Sequence, residues 1–444
     1  MMIQALELWG QIGTALRSKA FAARARKRPS AFTRLRKVGV VGVASIILNL
    51  VRRSTQIELD DYIEQTFPHE ENMTYTKQSF AEARQNLRPE AFQWLNEVFL
   101  QGFYRDGDEQ TYRGFRLLAV DGSVVELPNT AALRKRYGTS ENQSPRGTLA
   151  RARSSALYDV LNGMVIHTIL ERYDASERAM AKTHITAGLT ELPRSHPNLV
   201  LFDRGYPSLE FFLWLRQHGV RYLMRVPATG FLGEVVQAPL GDSSIQVPIT
   251  ADRARKLKRQ GTPVPVGTVL TFRVLKFPLS SGEIETVITD LTREELPADE
   301  GPSLYFRRWG IETHYDDKKS KFEIENFSGQ TPIVLEQDFH ATTLLSNMAV
   351  IAQREAQAAA AERIQASPHK YEEYHINRNL LVGKMKDRLI RILLEDDAAK
   401  REAAFQRLVH QLQRNVIPVR PGRTAPRNKR PRRNKYPPNR RRCL

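Results

Sequence analysis

Cysteine is all but missing. The single one in 444 residues is Cys443, next to last, so neither a disulfide framework nor a thiolate zinc site can be built. Such a chain suits a reducing cytoplasm. Long apolar runs are missing too. The longest, Val38 to Val51, has 14 residues and contains Ser45 and Asn49, whereas a bilayer span needs about 20. The first residues, with Gln4 and Glu7, lack the basic start of a secretory signal. The ten histidines show neither HxH nor HExxH spacing, which argues against zinc. There is no Walker A sequence and no GxGxxG, and Gly39-Val-Val-Gly42 lacks the spacing of a phosphate loop. No internal repeat stands out. These absences predict a soluble, intracellular protein with no membrane partner.

Acid is in short supply. Asp and Glu number 49 against 67 Lys and Arg, a net charge of +18. The surplus favours a polyanionic partner: DNA, RNA or an anionic membrane surface. Its distribution matters. Arg414 to Leu444 holds 12 Lys or Arg and no acid. This stretch is also rich in Pro and Asn and reads as a disordered basic tail. Its Arg427–Arg433 run either grips DNA backbone or merely solubilises. Without the tail the body carries only about +6, so the body needs evidence of its own.

What is present is enough for packed cores: 41% of residues are hydrophobic. Residues 1–110 read as helical. Thr76 is placed to cap a helix over Lys77–Asn86 that carries Gln78, Ser79, Glu82 and Gln85 on polar faces. This suits either a helix-turn-helix DNA module or an ordinary helical cap. Residues 111–226 read as an α/β layer with a mixed sheet. Phe115–Val120 is a short strand ending at the turn Asp121-Gly122. Ala156–Leu161 and Met164–Leu170 flank Asn162-Gly163, predicting a hairpin with a type I′ turn. Ser176–Leu189 reads as a helix, Asn198–Phe202 as a strand, Leu209–His218 as a helix and Tyr222–Val226 as a strand. Residues 227–292 read as a β-rich insertion. Its strands are Ile245–Ile249, Val269–Leu275 and Glu283–Thr289, and the basic run Arg253–Arg259 lies between them. Helices resume over 293–352, where Asp338–Gln357 reads as amphipathic. Residues 353–413 carry one or two more, over Asn377–His410.

Two aspartates stand where apolar strands end, Asp121 in LLAVDGS and Asp203 in LVLFDRGY. Neighbouring strands would bring both to one sheet edge. Paired carboxylates repel unless a cation lies between them, and Mg²⁺ prefers such hard oxygens. Two ions can clamp the attacking and leaving oxygens of a phosphodiester. A third acid is needed, and Glu312 is the candidate. On one helix, Tyr305, Arg308, Glu312 and Lys319 would share a face. Arg308 suits bidentate phosphate contact and Lys319 a point charge. Asp316 competes with Glu312 from the same face, and Asp159 on the hairpin is a further acid that could approach. Arg204 and Arg225 lie near strand ends, where they either meet phosphates or form ion pairs. Taken singly, each acid has a plain reading as a turn residue or a surface helix residue.

The spacing Tyr305-x2-Arg308-x3-Glu312-x6-Lys319, together with Asp121 and Asp203, resembles the DDE transposases of the insertion-sequence-four family. The likeness runs from Phe32 to Ala352 and includes ENFSGQTP after the signature. It implies an RNase H-like fold flanked by a helical amino-terminal domain and a helical carboxy-terminal part. The activity it implies is Mg²⁺-dependent nicking at transposon ends followed by strand transfer, with two ions and with Mn²⁺ able to substitute. Asp121, Asp203 and Glu312 would be the catalytic metal ligands. Tyr305, Arg308, Lys319, Arg204 and Arg225 would contact DNA. Partners would be double-stranded DNA at transposon ends and target DNA, with a homodimer in the complex, in a cytoplasm at the nucleoid. Some members stack a flipped base on a Trp of the insertion. Here Trp9, Trp94, Trp214 and Trp309 all lie outside 227–292, which leaves Phe231 or Phe272. Two alternatives stand beside this expectation: an inactive, domesticated DNA-binding protein, and a standalone RNase H-like nuclease.

Overall fold

The fold follows from a computed structural model that describes residues 2–34, 38–70, 72–140, 148–190, 192–193, 195–227, 229–279, 281–365, 371, 373–386 and 388–420. Residues 35–37 and the tail from 421, with Arg427–Arg433 and Cys443, lie outside the described residues.

At the centre is a nine-stranded sheet, β1 to β9 in chain order. β1 (Arg116–Glu126), β3 (Leu149–Asp159) and β4 (Met164–Arg172) run antiparallel. β2 (Thr139–Ser140) adds a short piece beside β3. β5 (Asn198–Phe202) and β6 (Arg221–Arg225) follow parallel to β1. The order β4-β3-β1-β5-β6 is RNase H-like, as the resemblance implies. β5 reads Asn-Leu-Val-Leu-Phe, and its last four residues are buried, as a central parallel strand covered on both faces requires.

The segment expected as an insertion extends this same sheet. β7 (Gly241–Pro248), β8 (Val269–Pro278) and β9 (Ile284–Thr289) are antiparallel, and β9 pairs with β6. β7 and β8 are longer than their sequence pattern suggests, and β9 is one residue shorter. The basic run between them is a helix, Ala251–Arg259, capped by Thr250. Leu257 anchors it, Arg253 pairs with Glu234, and Lys256, Lys258 and Arg259 face solvent. Phe272 is in the core, 1% exposed, against Phe212. It has no face left for a base. Phe231 is half-buried against the same Phe212 ring.

Other expectations are corrected. The hairpin β3–β4 forms, but its loop has four residues and only Gly163 takes positive φ, +72°. A type I′ turn needs two such residues. Asp159 replaces it, accepting hydrogen bonds from the Leu161 and Asn162 backbone N–H groups and from Tyr104 Oη. Asp159 is therefore a buried structural residue, paired with Leu118 and remote from Asp121. The stretch expected as an amphipathic helix is a longer one, Pro332–Gln365, buried on all sides over most of its length. It lies between β4 and the helices Val40–Leu48, Glu90–Phe103 and Ala398–Leu412. Over residues 337–349 no side is left for water, so no polar stripe is needed there. Beyond it come three helices, Arg378–Met385, Arg388–Leu394 and Ala398–Leu412. Val416–Pro418, at the start of the expected tail, is a short strand paired with Tyr374–Ile376.

The expected cap is present: Thr76 accepts from Ser79 N at the start of the helix Lys77–Arg84. Gln78 and Glu82 face solvent, while Phe80 and Arg84 are buried. Amino-terminal and carboxy-terminal helices share one hydrophobic core, with Trp9 packed on Phe405. Among the described residues no helix is long and apolar enough to cross a membrane.

Candidate active site

Register builds the site. In the parallel pair β1–β5 the last partners are Val120 and Phe202. The next residues are Asp121 and Asp203, so two carboxylates leave the sheet side by side. This is where ligands meet open α/β sheets, beyond the carboxyl ends of parallel strands. β1 itself does not end there. It continues to Glu126 and keeps pairing with β3, Asp121 opposite Ala156. The expected turn at Asp121-Gly122 is thus a place where one neighbour stops while the other goes on. Gly122 lies close under the movable carboxylate of Glu177. A Cβ there would come within 3.1 Å of Glu177 Oε1.

The backbone of Asp121 is fixed from below. Its carbonyl accepts from Tyr315 Oη at 2.8 Å and Ser155 Oγ at 3.1 Å. Ser155 Oγ in turn meets His184 Nε2 at 2.9 Å, and His184 Nδ1 meets His167 Nδ1 at the same distance. Burial pushes both histidines below their ordinary value, so they stay neutral. His184 opens a π-helical turn, His184–Gly188, a local irregularity frequent at functional sites.

The four signature residues do not lie on one helix. Gly301–Phe306 ends, Arg307–Arg308 form a tight turn with bonds of the i→i−3 type, and Trp309–Ser320 begins. The break aims the side chains inward. Tyr305 Oη donates to Asp203 Oδ1, a long bond of 3.4 Å. Arg308, only 3% exposed, donates to Glu312 Oε1 at 2.6 Å and to Asp121 Oδ2 at 3.4 Å. Its Nε is buried with no acceptor among the described residues. Lys319 Nζ donates to Ser123 Oγ at 2.7 Å. Asp203, Asp121 and Glu312 are thus gathered around Tyr305 and Arg308. Arg225 Nη1 lies 4.0 Å from Asp203, and Arg204 is exposed on the turn after it. Asp316 faces solvent, away from the cluster.

Electrostatics agree with this grouping. Burial, then the charges of Asp203 and Glu312, push Asp121 up to about 6, against the pull of Gly122 N–H and Arg308. Burial raises Tyr305 above the ordinary phenol value, with Asp203 and Glu285 adding to it, so its hydroxyl is a donor at neutral pH. Burial opposes the charge on Arg308, but Tyr305, Glu312, Asp203 and Asp121 outweigh it and raise its pKa. Among the described residues no three acids or histidines stand close enough to hold a metal ion. The guanidinium of Arg308 occupies the space between Asp121 and Glu312 instead. In kind, the donor set fits a hard divalent cation: three carboxylates at one sheet end, already balanced by a positive charge.

Several residues here escape the sequence reading. Glu285 of β9 pairs with Arg225, and Glu177 pairs with Arg153 beside Gly122. Phe306 and Trp309, 68% and 43% exposed, flank the Arg307–Arg308 turn. Lys318, on the buried face of the helix Trp309–Ser320, is 3% exposed and donates to Thr343 Oγ1 at 3.2 Å. Burial holds it down at about 7, against an ordinary 10.5. Between these values the unfolded chain binds a proton that the folded chain does not. Stability due to this group therefore rises with pH from about 7 to 10.5. Lys318→Met should stabilise the protein by about 1–3 kcal/mol at pH 7. In urea titrations its advantage over wild type should shrink toward pH 10, and a constant difference would refute the assignment.

A family model described as "Transposase DDE domain" matches residues 112–348. No curated protein matches the chain. Among solved structures the chain is similar to a piggyBac transposase in a synaptic complex with hairpin DNA, determined by cryo-electron microscopy. The two are 10% identical, the match covers 96% of this chain and 87% of that one, and the TM-score is 0.43.

Proposed function

Because the chain belongs to the transposase DDE domain family, whose model spans more than half of it, we propose that it cuts and joins DNA at transposon ends in the manner of the insertion-sequence-four branch. The observation that carries this most is the register that sets Asp121 beside Asp203, with Arg308 joining Asp121 to Glu312. In this reading Asp121, Asp203 and Glu312 hold Mg²⁺, or Mn²⁺ in its place, as two ions. Bound there, the metal would activate water and offset charge on the phosphodiester. The chain's own groups orient the strand. Arg308, bonded to Asp121 and Glu312, supplies positive charge beside the phosphate. Tyr305 donates a hydroxyl, Lys319 supplies a point charge, and Arg204 and Arg225 line the approach. The amino-terminal helices read the end, the exposed cations of Ala251–Arg259 and the tail hold backbone, and two protomers act on two ends.

The test is a nicking assay on labelled duplex carrying the element's own ends, with and without Mg²⁺. The expected product is a nick at the end that leaves a 3′-hydroxyl, followed by joining. Binding without any cut would favour the inactive, domesticated reading. Cutting without end preference or joining would favour a standalone nuclease.

The exposed pair Phe306 and Trp309 predicts a stacking contact with an unpaired base at the site. Trp309→Ala should weaken binding to an end carrying an unpaired base by about 1–3 kcal/mol. Fully paired duplex should bind as before. Equal loss on both substrates in fluorescence anisotropy would remove the stacking role.

A further inference from the structure

We propose that Glu285 is a positioning residue for the acid cluster, holding the Arg225 guanidinium off Asp203 and so keeping that carboxylate open to a divalent cation. This rests on the metal-dependent reading above. β9 returns from the end of the sheet and pairs with β6, Arg225 opposite Val287. Glu285, two residues before Val287, points to the same face of the sheet as Val287 does. Its carboxylate meets Arg225 Nε at 3.1 Å, while Arg225 Nη1 stops 4.0 Å from Asp203 Oδ1. The first distance is hydrogen-bonding range and the second is not. The guanidinium is therefore paired more closely with Glu285 and only leans toward Asp203.

Exposure reinforces the asymmetry. The Glu285 side chain is 10% exposed and that of Asp203 33%. An ion pair nearer the interior is screened less by water, so Arg225 prefers the buried acid. Without Glu285, the anion left beside Arg225 is Asp203. A planar guanidinium closes readily onto a carboxylate with two parallel bonds. Asp203 would then be occupied, and a cation would have to displace Arg225 to reach it. An acid from the outer strands of the sheet thus keeps a ligand of the inner strands available.

The experiment measures Mn²⁺ binding to the full chain by calorimetry, independently of DNA cutting. Glu285→Ala should lower Mn²⁺ affinity about 10- to 100-fold, the usual loss when a ligand's supporting partner is removed. Glu285→Ala with Arg225→Ala should restore it to near the wild-type value, because no guanidinium remains to block Asp203. Glu285→Gln, which keeps the shape but removes the charge that holds Arg225, should lose part of the same affinity and serves if the alanine variant does not fold. An unchanged affinity in Glu285→Ala, or in Glu285→Gln where that variant stands in for it, overturns the proposal. So does a double variant as weak as the single one, which would mean a merely structural role. Wild type binding no Mn²⁺, or Asp203→Asn binding like wild type, would overturn the metal reading itself and this proposal with it.

Discussion

Glu312→Gln should abolish Mg²⁺-dependent nicking of end-bearing DNA, by at least about 10³-fold, while leaving DNA binding intact. The size follows from the several kcal/mol that a bound cation contributes to a phosphodiester transition state. The substitution is chosen for what it keeps. Glutamine still offers an oxygen to Arg308 Nη2, now 2.6 Å from Glu312 Oε1. Although Arg308 is buried, the amide oxygen and Asp121 Oδ2 keep its guanidinium hydrogen-bonded, so the fold should persist. Lost cutting would therefore not be lost folding, and an unchanged denaturation midpoint would establish that. Asp121→Asn should give the same loss of cutting. Retained nicking in either variant would remove that acid from the catalytic set.

Arg84→Ala should destabilise the protein by about 3–5 kcal/mol, the cost of leaving a buried charge without its partner. Arg84 is 3% exposed and so is the side chain of Asp338. Their contact at 2.9 Å joins the helix Lys77–Arg84 to the central helix Pro332–Gln365. Arg84 also donates to Gln337 Oε1 at 2.8 Å and Ser328 Oγ at 2.5 Å. Burial works against the Asp338 charge, but Arg84, Arg52 and Ser328 hold its pKa below the ordinary 3.8. A depressed carboxylate contributes stability that is complete above the ordinary value and is lost as pH falls through the folded one. Arg84→Ala should accordingly differ most from wild type at neutral pH and least in strong acid. Replacing both partners, Arg84→Met with Asp338→Leu, should recover much of the loss, since an apolar pair of similar volume leaves no unpaired charge. Denaturant unfolding of the two single variants and the double variant measures the coupling. Additive losses would mean that the pair does not act as a unit.

Much of the candidate site was legible because its information is local. Asp203 follows a run of apolar residues, and Tyr305, Arg308, Glu312 and Lys319 have fixed gaps. The strand Asn198–Phe202 stands where its pattern puts it. Thr76 accepts a backbone N–H at a helix start, as its side-chain chemistry requires. Other features were not legible. Asp121 looked like the end of a strand, because Asp-Gly is a local turn signal. Only pairing with β3, residues 149–159, carries the backbone through it. The central helix looked amphipathic because a sequence cannot say how many neighbours a helix will have. Four sets of neighbours bury it all round, and Asn347 bonds to Asn96 and to both backbone groups of Val165.

Glu285 makes the same point at the site. In the sequence it is one polar position of an alternating strand, about 80 residues from Asp203 in a segment with another composition. Its place beside Arg225 depends on β9 pairing with β6, a contact between strands far apart in the chain. Residue types and short spacings, by themselves, determined which groups could do chemistry, because side-chain charge and local backbone preference belong to a few neighbouring residues. Tertiary structure alone decided which of those groups meet and which cations lie between them. Strand register and burial come from packing over the whole chain.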